Sequence, residues 1–90
     1  MTMEMRIRDR LMTALSPTIL EVSNESSLHH GHAGSPNSGQ SHFRVYIVAE
    51  IFLGCSRLER HRIVNEALAQ ELASGVHALA IKAEAPAERS

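Results

Sequence analysis

Aromatic residues make up 3% of this 90-residue chain, tryptophan is absent, and there is one cysteine. That lone thiol, Cys55, excludes an internal disulfide and suits a reducing compartment. Phe43, Tyr46 and Phe52 are the whole aromatic set, so platforms for stacking nucleobases are scarce. Asp9 is the sole aspartate and belongs to an exposed helix face. No nucleophile stands beside a positioned base and no phosphate-binding glycine pattern follows a strand, so no enzyme is expected. The formal net charge is -1 with a pI near 6.6, which leaves no global basic field to attract nucleic acid.

Long apolar runs are also missing. The longest, residues 45–53, is broken by Glu50 and is far below the about 20 residues that cross a bilayer. Residues 1–6 carry charges where a signal peptide needs an apolar stretch. The expected setting is therefore cytoplasmic for a bacterial chain, or the mitochondrial matrix for a eukaryotic one, with no membrane partner. The length suits one domain, placed at residues 1–85 with a short polar tail at 86–90. A chain this small buries only roughly 60–65% of its unfolded surface, so the core is thin and deep enclosed pockets are not expected.

What the chain does have is histidine. There are six, and His29, His30 and His32 fall within four residues. Met3, Ile7, Leu11 and Leu15 recur at a spacing of four, which predicts an amphipathic helix ended by Ser16-Pro17. Residues 18–23 alternate, with Leu20 and Val22 against Glu21 and Ser23, and predict a half-buried strand. Gly31, Gly34, Pro36 and Gly39 mark residues 26–41 as loop. A second strand over residues 42–51 places Phe43, Val45 and Ile47 opposite Arg44, Tyr46 and Val48. The two strands pair most simply as an antiparallel hairpin, although ordinary hairpin loops take only about 2–5 residues.

Ser56-Arg57-Leu58-Glu59 has the form of a capping box and opens a helix to residue 73, with a turn near its beginning able to divide it. Ile63, Val64, Ala67, Leu68 and Leu72 form its buried face, and Gly75 ends it. A third strand, residues 76–84, carries Leu79 and Ile81. The expected fold is thus α+β in the order αββαβ, with a three-stranded mixed sheet. If the last two strands run parallel, they begin at the same sheet edge. His77, His42 and the loop histidines then converge there, and His61 starts from the opposite end.

Each candidate has a plain alternative. A histidine at a strand start is ordinarily structural, and a Gly- and Ser-rich loop is ordinarily only solvated. Arg57, Arg60, His61 and Arg62 form a basic cluster at a helix start, where cations work against the helix dipole by a few tenths of a kcal/mol. That suggests partner docking or phosphate contact, against the bland reading of a solvated face offset by Glu59 and Glu66. Cys55 is expected to be an exposed, incidental thiol. His29-x-x-His32 with His42 and His77 could hold adventitious zinc or nickel, but is not a recognised structural zinc pattern.

Several pieces, in order and spacing, resemble the BolA-like family over nearly the whole chain. They are Leu20-Glu21-Val22, Asn24-Glu25-Ser26, Ser41-His42-Phe43, Phe52-x-Gly54, Arg60-His61-Arg62-x-Val64, Glu71-Leu72 and Val76-His77-Ala78-Leu79-Ala80. The resemblance implies a fold related to class II KH domains, and a monothiol glutaredoxin partner sharing a [2Fe-2S] cluster, with glutathione and the glutaredoxin cysteine on one iron. The isolated chain, a monomer or weak homodimer, is expected to carry no cofactor. The family's ligand before the last strand maps onto His77. The second, in the first loop, falls on His29 counting forward from Glu25-Ser26 and on His32 counting back from His42-Phe43, with His30 a weaker third. The loop has no cysteine, which favours the histidine-ligand branch.

Histidine in place of cysteine on one iron raises the reduction potential, and ligation requires a deprotonated ring nitrogen. Cluster binding is therefore expected to weaken below imidazole's ordinary value of about 6.5. Some relatives are transcriptional regulators, so DNA binding through Arg60, His61 and Arg62 is the alternative. The KH-type GXXG string is present as Gly31-His32-Ala33-Gly34, but it lies between strands rather than helices.

Overall fold

A computed structural model describes residues 2–25 and 42–88. Helix α1 (Met3–Leu15) is followed by strands β1 (Ile19–Asn24) and β2 (His42–Val48), helices α2 (Arg57–Ala67) and α3 (Ala69–Ser74), and strand β3 (Ala78–Glu84). Short 3-10 turns occupy Glu50–Phe52 and Pro86–Glu88. The sheet is three-stranded and mixed, in the order β1-β2-β3, with β1 antiparallel and β3 parallel to the central β2. This is the α+β arrangement expected, with the connecting helix in two parts.

The apolar stripe of α1 does what its spacing predicts: Met3, Ile7 and Leu11 are buried. Thr2 caps the helix, its hydroxyl oxygen accepting from the Met5 N–H at 3.2 Å. Ser16 is left-handed at φ 46° rather than extended before Pro17. Its N–H donates to the Met12 carbonyl, so the helix end closes on itself before the proline. On β2, Phe43, Val45 and Ile47 are buried in a common core with Ile7, Leu11, Phe52, Val64 and Leu68.

Strand boundaries differ from those expected: β1 is shifted by one residue, and two larger differences have a visible cause. Strand β2 ends at Val48, not Ile51, because pairing runs out: Thr18 N–H donates to Val48 O and Ala49 N–H to Glu84 O, after which the 3-10 turn drops Phe52 into the core. Val48 itself is buried although it shares the outer face with Arg44, being flanked on the central strand by Ile19 and Glu84. Strand β3 begins at Ala78 rather than Val76, since the Val76 N–H turns back to the Glu71 carbonyl at the end of α3.

The helical connection breaks at Leu68, near its end rather than its beginning. Leu68 and Glu71, four and seven residues after the buried Val64, both lie on the inward face. Glu71 is the residue that no apolar pattern announced: its side chain is 2% exposed and lies 3.4 Å from Arg6 and 3.5 Å from Arg10, tying α3 to α1. Gly75, at φ 141°, then ends α3 in a conformation that L side chains rarely adopt.

Candidate functional site

Parallel pairing of β2 and β3 begins with His42 opposite Ala78. His77 therefore sits one residue before the register starts, beside the first residue of β2. The two imidazoles are stacked, with ring centroids 6.5 Å apart and planes inclined by 29°. His77 is exposed and His42 half-buried. The convergence expected from topology is thus present for residues 42 and 77. The base of the β1–β2 loop is at the same edge, where Glu25 N–H donates to His42 O at 2.8 Å and Arg44 pairs with Glu25 at 3.0 Å. His29, His30 and His32 lie outside the described residues.

Two adjacent imidazoles supply two nitrogen donors with lone pairs, enough for half of a tetrahedral site. Among the described residues no group of three or more His, Cys, Asp or Glu converges, so the described donors do not close a metal site unaided. A ligand held here must bring further donors of its own or recruit them from the loop.

The basic cluster is organised differently from its sequence appearance. The capping box is present: Ser56 Oγ accepts from the Glu59 N–H at 3.1 Å and Glu59 Oε1 accepts from the Ser56 N–H at 2.8 Å. The Ser56 N–H foremost, and then the Ser56 hydroxyl, hold the Glu59 carboxyl below its ordinary value, with Arg62 adding to the shift. Arg60 is spent on the fold, its guanidinium donating to Cys55 O and Ala83 O, both at 3.0 Å. Arg62 is exposed. His61 instead joins Arg44, Arg57, Arg60 and Lys82 around a hollow between α2 and β3. The sequence reading missed Arg44 and Lys82, because only the sheet brings them near α2. Cys55 is half-buried rather than exposed, with its thiol 3.5 Å from Ile51 O, since the turn after Phe52 folds it inward.

Residues 11–88 match the family described as BolA-like protein. BolA-like protein 1 of Mus musculus is 53% identical over 85 residues, covering 94% of this chain and 59% of that protein. The chain thus spans less than two thirds of that relative's length. The DNA-binding transcriptional regulator BolA of Vibrio cholerae is 44% identical over 75 residues, covering 83% of this chain and 67% of that protein. Among solved structures, BolA1 from Arabidopsis thaliana is similar with a TM-score of 0.85 at 37% identity, covering 97% of this chain and 95% of that one.

Proposed function

The chain belongs to the BolA-like family, and on that footing we propose that it is a non-catalytic adaptor that docks a monothiol glutaredoxin and co-ligates a [2Fe-2S] cluster with it. The observation that supports this reading is the exposed His77, which stands beside His42 at the sheet edge where the β1–β2 connection meets β2. In this proposal His77 holds one iron together with His29 or His32 of the β1–β2 loop, and the glutaredoxin cysteine and glutathione hold the other. The donor types fit, because two imidazoles on one iron form a known cluster type. The bound cluster would supply a transferable iron–sulfur unit with one-electron chemistry. The chain's own task is to present imidazole at an edge that a second protein can reach. Assembly, delivery or sensing in the cytoplasm or mitochondrial matrix is the setting proposed.

The test is spectroscopic. Mixing the protein with cluster-loaded glutaredoxin should change the visible absorption and circular dichroism, and His77→Ala should abolish that change. Identical spectra for wild type and variant would remove His77 as a ligand.

A second reading, DNA binding, is favoured by the name of the Vibrio cholerae relative. Here Arg62 and His61 carry the contact, since the Arg60 guanidinium is engaged with backbone carbonyls. Duplex affinity that falls steeply with salt, prefers a sequence and depends on Arg62 would establish it.

A further inference from the structure

The hollow between α2 and β3 has a volume of about 610 Å³ and is lined by Arg44, Arg57, Arg60, His61 and Lys82, with Glu84 the one carboxylate among its lining residues. A neighbouring hollow of about 390 Å³ shares Arg44, Arg57, His61 and Lys82 and extends past Ala80 towards Tyr46. These cations come from three elements. Arg57 and His61 are four residues apart and so share one face of α2. Arg44 lies on β2 and Lys82 on β3. The small side chain of Ala80, opposite Arg44 in the register, leaves room between them.

Charge of one sign is concentrated here although the whole chain is at -1. Arg57 and Lys82 are exposed, and neither forms an ion pair among the described residues. Lys82 rests its ammonium 5.5 Å from the centre of the Tyr46 ring, a contact that leaves its donors usable. Arg44 is paired with Glu25 through its Nε at 3.0 Å, and Arg57 and Lys82 are the exposed cations of the hollow that carry no such pair among the described residues.

We propose that this hollow binds a small phosphorylated molecule, a phosphomonoester or diphosphate, between Arg57 on α2 and Arg44 and Lys82 on the sheet. Guanidinium forks match phosphate oxygens in pairs, and an ammonium adds a mobile point charge. A duplex is gripped by cations strung along a ridge or helix, whereas these surround a concavity within the about 300–1,000 Å³ range of small-molecule sites. The inference stands apart from the histidine edge and from cluster binding.

Pyrophosphate titrated into the full chain, followed by nitrogen-15 NMR, tests it. Saturable shifts at Arg57, His61 and Lys82 are expected, with Arg57→Ala and Lys82→Ala each weakening binding about tenfold. Arg62→Ala, on the same helix but outside the hollow, should change it by less than about twofold. Both tested cations are exposed, and the amide spectrum of each variant reports whether it remains folded. Three results overturn the proposal: no saturation by about 10 mM, an Arg62→Ala loss equal to that of Arg57→Ala, or a duplex or acidic peptide outcompeting pyrophosphate through the same residues.

Discussion

The two ends of the sheet use their residues in opposite ways. Where β2 runs out, Val48, Ala49, Phe52 and Ala85 are buried while Ile51 and Leu53 stay exposed, and backbone bonds join residue 18 to 48 and residue 49 to 84. Where β2 begins, His77 stays exposed beside the half-buried His42. The first end anchors core residues, and the second is the one that the proposed function assigns to a partner. Substitutions should therefore separate stability from binding according to the end they touch.

The largest stability effect is expected at the closed end. Phe52→Ala should cost about 3–5 kcal/mol, measured by urea unfolding, because a fully buried ring leaves a cavity. A loss under about 1 kcal/mol would mean that this end is not the anchor.

Next comes the support behind the open end. Glu71 ties α3 to α1 just before the chain turns to Val76 and His77, and its Oε1 has no hydrogen-bond partner among the described residues. Replacing Arg6 and Arg10 together by alanine should cost about 2–3 kcal/mol. That is less than for a fully buried pair, since both arginines are partly exposed and hydrated. A neutral result would show the contact to be incidental.

Smaller still is the capping box of α2. Ser56→Ala should cost about 1 kcal/mol. Because the Ser56 N–H bond depresses the folded-state value of Glu59, its contribution is complete above the carboxyl's unfolded value and is lost as pH falls through the folded one. The stability gap between wild type and Glu59→Gln should accordingly close in acid. A gap that stays constant down to about pH 2 would contradict that assignment.

The smallest stability change belongs to His77→Ala, within about 0.5 kcal/mol by urea unfolding, since the side chain is exposed. A large destabilisation there would erase the contrast between the ends and make His77 a structural residue. Stability kept while the cluster spectrum is lost would sharpen it.

Much of this was legible in the residues. The spacing of Met3, Ile7 and Leu11, the Ser56–Glu59 box and the alternation of Phe43, Val45 and Ile47 report local periodicities and turns, which depend on neighbours a few positions away. Glu71 was not legible. A buried carboxylate follows no apolar pattern, and its partners lie more than 60 residues earlier. The hollow was half legible: Arg57 and His61 stand close together in the chain, while Arg44 and Lys82 join them only through the parallel register. Arg60 looked like a contact residue and is a brace, because free carbonyls at Cys55 and Ala83 come within its reach only after folding.

The residues alone determined the elements, the family likeness and the presence of an unusual set of histidines, all carried by short-range pattern and composition. Tertiary structure decided which of them meet. Residues 42 and 77 are 35 positions apart, and only the pairing of β3 parallel to β2 brings their rings within 6.5 Å. The same pairing separates cations that brace the fold from those that face an open hollow. Register is a long-range property set by burial of one sheet face, and no local stretch of the chain contains it.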